Sequence, residues 1–299
     1  MSSNGTRTVK CDMQRRFGRV LDEIDHSLDR PLNITRLAEA AAFSRFHFQR
    51  QFSAFLGMSV AEYRRHLLMK RAGNQLVYRP EEPVTDIAYD AGYENLESFS
   101  RAFKRAFGQA PSDFRANPNW DIWHETFNPL TKLKGRFMPT DTPDPDNVNV
   151  RDFPETRIAI LEHRGPQSGL SRSVQRFISW RRENNLPPAK HATFNILYDD
   201  PKAVAPRDYR FGFCCEVAGP VPENGYGIRS STIPGGRCAV LPHMGSLDFA
   251  ENAIRFLYRD WLPQRGEQLR DFPLFVKRLK FFPNVPEHET VSEIYLPLL

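Results

Sequence analysis

At 299 residues the chain is long enough for two domains, and 40% hydrophobic with 26% charged residues is the composition of a globular protein. No apolar run reaches membrane-spanning length and no apolar leader precedes the first charged segment, so we expect a cytoplasmic protein; the four cysteines lack metal-ligand or disulfide-framework spacing, so we expect reduced thiols and no cofactor. The net charge of +5 is concentrated in residues 1–116, with 18 Lys+Arg against 14 Asp+Glu, which suits a phosphate-binding surface or, equally, a solvated face of mixed sign.

The first predicted element follows a segment without periodicity. Residues 1–14 are expected to form a flexible N-terminus. From Met13 to Leu28, apolar residues recur at helical spacing, which predicts an amphipathic helix. A shorter helix is predicted to end at Ala42, with Thr35 as its candidate N-cap.

The helices that follow form a pattern that the chain repeats about 50 residues later. In the second copy, a short helix leads through a turn at Gly92 into a longer helix that ends at Gly108. A short helix that braces a longer one with a basic outer face predicts a helix-turn-helix, which offers side chains to the DNA major groove. Its apolar stripe is Phe99, Phe103, Ala106 and Phe107, and its outer face is Glu97, Arg101, Lys104 and Arg105. The copies match at Leu37-Ala38 with Ile87-Ala88, Phe43 with Tyr93, Phe48 and Phe52 with Phe99 and Phe103, and Arg50 with Arg101.

The longer helix of the first copy has two chemically distinct faces. Phe48, Phe52 and Phe55 are predicted to face the core. The other face carries Phe46, Gln49, Arg50 and Ser53. Arg can take two acceptors on a guanine edge, Gln can pair with an adenine edge, and an aromatic ring can touch a thymine methyl group, so this set suits groove reading. Phe46 has the alternative role of a surface aromatic at the start of the helix.

Residues 15–116 resemble the tandem helix-turn-helix domain of AraC/XylS-type transcription regulators. The motifs that carry the resemblance are Ser44-Arg45-Phe46-His47-Phe48, Gly57-Met58-Ser59, Val84-Thr85-Asp86-Ile87-Ala88, Ala91-Gly92-Tyr93, Phe99-Ser100-Arg101-Ala102-Phe103-Lys104, and Gly108 with Pro111. The resemblance implies double-stranded promoter DNA as the partner, with RNA polymerase as a candidate second partner. The DNA contacts that it implies are Arg45, Phe46, Gln49 and Arg50 in the first copy and Asn95, Glu97, Ser98 and Arg101 in the second. In that family the helix at 60–76 joins the two copies, and if it is rigid they stand about one DNA turn, roughly 34 Å, apart.

The second copy departs from some relatives at Leu96 and Glu97, where those proteins carry glutamine-like residues. Glu97 could accept a hydrogen bond from a cytosine amino group, or it could repel phosphate. Both interpretations remain open at this point. The second half-site is therefore expected to be read differently from the first, or more weakly.

The next segment, residues 117–149, is predicted to be a linker. Only 4 of the 24 prolines precede residue 117, whereas this segment is rich in proline and has little periodicity. Its aromatic residues are expected to dock on a neighbouring domain: Trp120, Trp123 and Phe127.

Residues 150–299 alternate short strands with single helices, in an order that occurs twice. The segment Ala159…His163-x-Gly165 aligns with Ala239…His243-x-Gly245, and Trp180 aligns with Trp261. The duplication predicts an α+β domain with an antiparallel sheet, so that the protein is multidomain, all-α and then α+β. Strands are predicted at 157–163, 194–198, 209–217, 237–243, 275–281 and 292–296, and helices at 171–184 and 247–262.

This second domain resembles the GyrI-like small-molecule-binding domain, a duplicated SHS2-type fold. The resemblance rests on His163-Arg164-Gly165-Pro166, Tyr198-Asp199-Asp200-Pro201, Ile233-Pro234-Gly235-Gly236-Arg237, Trp261-Leu262-Pro263 and Glu293-Ile294-Tyr295-Leu296-Pro297-Leu298. It implies an effector site between the repeats, lined by aromatic residues and usually an acidic one. The candidate lining residues are Trp180, Tyr258, Trp261, Phe275 and Glu293, with ordinary core packing as the alternative for each aromatic. Relatives tend to carry an acidic residue where this chain has Val276, which would remove the attraction for lipophilic cations and favour a neutral or anionic ligand, or none.

Three functions follow from these patterns. The leading one is a sequence-specific transcription regulator whose second domain senses a small molecule, and which is not an enzyme. The second is a hydrolase of small electrophiles, against which the loss of the acidic residue at Val276 argues. The third is a second domain that docks on another protein without a ligand.

Overall fold

The structure, a computed structural model, describes residues 3–137, 143–281, 285 and 287–299, with side chains from residue 12 onward. The chain divides into two compact units, Met1–Thr140 and Asp141–Leu299. The first is all-α and the second α+β, as predicted. Within the described ranges, no helix is both long and apolar enough to cross a membrane.

The first unit contains two helix-turn-helix motifs in the predicted positions, the first made of α2 (Ile34–Ala40) and α3 (Arg45–Leu56) and the second of α5 (Val84–Asp90) and α6 (Leu96–Phe107). Each longer helix ends at a glycine with left-handed backbone, Gly57 at φ 75° and Gly108 at φ 70°. The helices are α1 (Ser3–His26), α2 (Ile34–Ala40), α3 (Arg45–Leu56), α4 (Val60–Tyr78), α5 (Val84–Asp90), α6 (Leu96–Phe107), α7 (Pro111–Ala116) and α8 (Trp120–Phe137).

Helix α4 joins the two motifs and is hydrogen-bonded to the segment that leads into the first and to the end of α5 in the second. Arg64 donates to the carbonyl oxygens of Leu28 and Arg30 ahead of α2, at 2.8 and 3.1 Å. Arg71 forms an ion pair with Asp29 and donates to the carbonyl oxygen of Asp90, at the end of α5, at 2.7 Å. The 19 residues of α4 form one unbroken helix, about 28 Å long at 1.5 Å per residue. One side chain, Arg71, therefore ties the first motif to the second.

The predicted linker is wrong over residues 120–137, because these residues form helix α8 within the first unit. Trp123 packs against Phe107 and Phe114, with ring centroids 5.3 and 5.4 Å apart, and so covers the second motif. At its other end α8 reaches α1, where Lys134 forms an ion pair with Asp25. The helix contains Pro129, and a proline within a helix costs about 3 kcal/mol, which the buried aromatic face of α8 offsets. Of the remaining predicted linker, residues 138–142 lie outside the described residues.

Three smaller predictions about the first unit are corrected. Residues 3–14 continue helix α1 instead of forming a flexible segment, since an established helix extends cooperatively without an apolar face; residues 1 and 2 lie outside the described residues. The N-cap of α2 is Asn33, whose side chain accepts from the Arg36 amide at 3.1 Å, and not Thr35. Phe55 is 43% exposed and Ala106 is exposed, since each lies at the edge of its apolar stripe.

The second unit is one antiparallel sheet with helices on one face. Its strands are β1 (Asn149–Phe153), β2 (Thr156–Arg164), β3 (Thr193–Leu197), β4 (Arg210–Glu216), β5 (Arg229–Ile233), β6 (Gly236–Met244), β7 (Phe275–Lys280) and β8 (Val291–Pro297). Its helices are α9 (Leu170–Glu183), α10 (Glu251–Phe256) and α11 (Leu262–Arg265), with a π-helical turn at Leu257–Trp261 between the last two.

The strand order β1-β6-β8-β7-β3-β4-β2-β5 confirms the internal duplication. Reading the order backwards exchanges β1 with β5, β2 with β6, β3 with β7 and β4 with β8, so the two repeats are related by a pseudo-twofold axis between β3 and β7. The first strand of each repeat pairs with the other repeat, β1 with β6 and β5 with β2. Those two short strands were not predicted from the sequence, because their residues are mostly exposed and show no alternation.

The two faces of the sheet carry different cores. The helix face packs α9 on Ala159 and Leu161, and α10 on Ala239 and Leu241. The opposite face carries an aromatic cluster that includes Phe153, Phe194, Phe275 and Tyr295. Because successive strand residues alternate between faces, the position of any strand residue assigns its face.

The turns inside the two helix-turn-helix motifs generate a matched prediction. Both turns close identically, Phe43 to the Ala38 carbonyl and Tyr93 to the Ala88 carbonyl, but the left-handed residue is Ala42 (φ 52°) in the first and Gly92 (φ 82°) in the second. A left-handed L-residue costs about 1–2 kcal/mol. We therefore expect Gly92→Ala to lower the free energy of unfolding by about 1 kcal/mol and Ala42→Gly to raise it, by less because glycine also gains entropy when unfolded. Denaturant unfolding followed by circular dichroism measures both, and shifts of the same sign would contradict the explanation.

Candidate functional site

Helix α3 presents a polar and aromatic face to solvent. Arg45, Phe46, Gln49 and Arg50 are all exposed, while Phe48 and Phe52 on the other face are fully buried. Phe46 is 88% exposed, a large apolar area to leave in water on a folded domain. Among the described residues Arg50 has no ion-pair partner, so its guanidinium is available for an external acceptor. The buried aromatics fix the helix and thereby aim the exposed set.

Helix α6 presents the corresponding face of the second motif. Glu97 and Arg101 are exposed, Ser98 is partly buried, and Phe99, Phe103 and Phe107 anchor the helix from the inner side. Lys104 and Arg105 lie in the last turn, where their charge also favours the negative end of the helix dipole. The outer face of α6 is therefore basic, as predicted.

Three of the predicted contact side chains of the second motif, Asn95, Glu97 and Arg101, already have partners in or next to α6. The side-chain oxygen of Asn95 accepts from the Ser98 amide at 2.8 Å, which makes Asn95 the N-cap of α6. Arg101 donates to Glu97 one turn earlier at 2.6 Å. Both side chains of this ion pair are well exposed, so the pair contributes little to stability but does compete for Arg101. Arg50 and Arg101 match in sequence and in exposure, and differ in this pairing.

The five predicted ligand-lining residues do not converge on one site. Trp180 belongs to α9 and Trp261 to the π-helical turn. Both side chains are buried on the helix face of the sheet, in two separate hydrophobic clusters. Tyr258 is 41% exposed and lies in the π-helical turn on that same side. Phe275 and Glu293 lie on the opposite face of the sheet. Each is adjacent in its strand to a residue that faces the helices, Val276 and Ile294 respectively, and successive strand residues alternate between faces. The prediction of a single site from these five is therefore wrong.

On the opposite face, Glu293 belongs to a closed polar triad. Arg151 donates to Glu293 at 2.6 Å and to the hydroxyl of Tyr295 at 2.7 Å, and that hydroxyl donates to Glu293 at 2.6 Å. Burial alone would raise the pKa of Glu293, but the hydrogen bonds from Tyr295 and Arg151 and the charge of Lys277 leave it below its usual range. Burial, followed by the bond to Glu293, raises the pKa of Tyr295 to about 12. The only carboxylate among the predicted ligand residues is thus already neutralised by Arg151.

Val276 lies on the helix face, fully buried beside the pseudo-twofold axis, where it pairs with Asn195 of β3. The same face carries polar residues that are not among the ligand residues predicted from the sequence: Asn195, Arg278, Ser292 and His243. Strand alternation places Arg278 on the same face as Val276, two residues away. The pairing of β7 with β3 and β8, and of β8 with β6, then places Asn195, Ser292 and His243 on that face. Among the described residues, no group of three or more His, Cys, Asp or Glu could hold a metal ion.

Comparison with known proteins identifies both units. A family model described as a GyrI-like small molecule binding domain matches residues 146–299, and one described as a helix-turn-helix domain matches residues 37–117. The probable transcriptional regulator YgiV of Escherichia coli (strain K12) is 37% identical over 153 residues, 51% of this chain and 96% of YgiV. The regulatory protein SoxS of Salmonella typhimurium (strain LT2) is 36% identical over 96 residues, 32% of this chain and 89% of SoxS.

Among solved structures, the C-terminal domain of EcmrR is 18% identical and covers 51% of this chain and 96% of its own length, at a TM-score of 0.42, too low to bear on function. The GyrI-like model, in contrast, spans more than half of the chain, and YgiV and SoxS are matched over nearly their whole lengths. The chain therefore belongs to the AraC-type helix-turn-helix transcriptional regulators that carry a C-terminal GyrI-like small-molecule-binding domain.

Proposed function

We propose that this regulator reads DNA with α3 and α6 in successive major grooves, and that Arg50 and Arg101 make the principal base contacts. The observation that carries the proposal is that both arginines are exposed on helices whose opposite faces are fully buried. Arg45, Phe46, Gln49, Glu97 and Ser98 complete the proposed contact surface, with Asn95 acting as a cap.

The length of the helix that connects the two motifs is compatible with this arrangement. Helix α4 is about 28 Å long, close to the roughly 34 Å that separates successive major grooves on one side of B-DNA. The contacts of α4 with the segment ahead of α2 and with α5, and of α8 with α1 and the second motif, oppose independent rotation of the two motifs. A protein held in this way gains affinity from both half-sites without the entropy cost of ordering a hinge.

The second unit is proposed to be the effector-sensing part of the regulator. A ligand can alter transcription only by binding more tightly to one arrangement of the chain than to another. RNA polymerase is the further partner that this role implies, and a cytoplasmic location follows from binding promoter DNA. We propose no catalytic activity, and turnover of small electrophiles by the purified protein would overturn that part.

We expect Arg50→Ala and Arg101→Ala each to weaken specific DNA binding by about 1–3 kcal/mol, because each removes a bidentate base contact. Fluorescence anisotropy on a promoter fragment, with a scrambled duplex for comparison, measures the loss. Arg176→Ala, an exposed arginine of α9 in the second unit, serves as the control and should bind like the wild type. Unchanged specific affinity in both α3 and α6 variants would defeat the assignment.

Replacing Glu97 distinguishes its two proposed roles, repulsion of phosphate and acceptance of a hydrogen bond from cytosine. If Glu97 only holds Arg101 and repels phosphate, Glu97→Gln frees that guanidinium and tightens DNA binding by about two- to fivefold, the scale of an exposed ion pair. The gain should shrink as salt is added, because it is electrostatic. Weaker binding confined to one base position of the second half-site would instead show that Glu97 accepts a hydrogen bond from cytosine.

A further inference from the structure

One row of residues on the helix face breaks the symmetry between the two repeats. In the first repeat the row runs from His163 of β2 through Phe211 of β4 to Leu197 of β3. In the second repeat the matching row runs from His243 of β6 through Ser292 of β8 to Arg278 of β7. The fold therefore accepts two apolar residues at these positions, and the second repeat has replaced both with polar ones. We call Thr193, Arg278, Ser292 and His243, which are consecutive across β3, β7, β8 and β6, the polar row.

Two donors of the polar row, the Nε of Arg278 and the hydroxyl of Ser292, are buried without hydrogen-bond partners. The side-chain oxygen of Ser292 is unpartnered, and the residue is 0% exposed. The Nε of Arg278 is likewise buried and unpartnered, and its guanidinium lies over the ring of Phe281, 5.5 Å from the centroid. An unpaired buried donor destabilises the fold, and more so when the group is charged, so a purely structural role for this pair is unfavourable. Both donors are therefore available to an acceptor from outside the chain, such as a ligand or a water molecule.

The two side-chain charges that lie at the row, those of Arg278 and Arg181, are both positive. Burial lowers the pKa of Arg278 to about 10, which leaves it protonated at neutral pH. Arg181, also buried, donates to Thr193 at 2.7 Å and so brings a second guanidinium to the adjacent strand. Among the described residues no carboxylate forms an ion pair with Arg278; Asp248, which acts on it electrostatically, is exposed.

His243 completes the row as a neutral group. Its Nε2 lies 3.1 Å from the carbonyl oxygen of Ser246, so this nitrogen carries the proton and donates. Burial, and secondarily the charge of Arg278, keep the pKa of His243 below its usual value. The row therefore offers hydrogen-bond donors from Arg278 and Ser292 and the positive charge of Arg278, and Asp248, the carboxylate that acts on this charge, is exposed and forms no ion pair with it among the described residues.

We propose that the polar row binds the anionic group of the effector, and that the effector is a small aromatic carboxylic acid. The proposal rests on the effector-sensing role of the second unit. A carboxylate would accept from Arg278 and from Ser292, while the ring of Phe281 and the apolar residues of the helix face contact the rest of the molecule. Val276 and Asn195, beside the row, add no charge that would repel an anion.

The test uses the full-length protein and two probes with the same ring and opposite charge, sodium benzoate and benzamidine hydrochloride, at matched ionic strength. Isothermal titration calorimetry should show saturable binding of benzoate and none of benzamidine. Arg278→Leu, which restores the residue type of Leu197, should weaken benzoate binding by about tenfold or more, and Ser292→Ala by several-fold. Arg176→Leu, which removes an exposed charge of the same sign, should leave it unchanged.

Three results would overturn the proposal: equal benzoate binding by wild type and Arg278→Leu, binding of benzamidine in preference to benzoate, or no benzoate binding to the wild type. Melting temperatures monitor folding, and Ser292→Ala with Arg278→Lys keep the test valid should Arg278→Leu not fold. DNA binding is measured on the same preparations. If the wild type does not bind DNA, the proposed function is wrong. If the wild type binds DNA but not benzoate, only the assignment of the anion site is wrong.

Discussion

The DNA-binding unit depends on two helix-turn-helix motifs being held at a fixed separation and rotation. Arg71 of α4 supplies the most direct constraint, since it bonds to Asp29 beside the first motif and to Asp90 at the end of α5 in the second. Exposed ion pairs contribute little by themselves, but the Arg71 side chain is mostly buried and uses both ends of its guanidinium. If this connection were soft, each motif would bind its own groove with separate entropy costs.

Helix α8 provides a second connection, made of aromatic packing instead of hydrogen bonds. Trp123 covers the second motif through Phe107 and Phe114, and Phe137 meets Phe17 of α1 with ring centroids 6.0 Å apart. The two connections are sensitive to different changes. Salt weakens the hydrogen bonds and the ion pair of Arg71, whereas the aromatic packing of α8 is weakened by replacing a buried ring with a smaller side chain. Together they give the exposed faces of α3 and α6 a defined relation.

In both units, a duplicated architecture carries chemically unequal copies. Arg50 is unpaired among the described residues, whereas its counterpart Arg101 is held by Glu97. In the second unit Leu197 is replaced by Arg278 at the matching position of the sheet. In a repeated fold, similar residues at matching positions form the backbone hydrogen bonds and the hydrophobic core of both copies. Arg50 and Arg278, the charged groups that this inequality leaves without an ion pair among the described residues, are where we propose that the protein binds DNA and its effector.

The sequence by itself determined the tandem helix-turn-helix, the duplicated α+β domain and the exposed face of α3. Each of these follows from a repeat of residue types or from the spacing of apolar residues, and both can be seen within a continuous stretch of the chain. It could not place α8, since Pro129 and its neighbours resemble a linker until Trp123 and Phe127 are seen to pack on another helix. Nor could it place β1 and β5, whose pairing partners belong to the other repeat. Only the tertiary structure decided that Glu293 and Trp261 lie on opposite faces of the sheet, and that Ser292 and Arg278 share one. Those relations depend on strand register, which joins residues distant in the chain and leaves no local pattern.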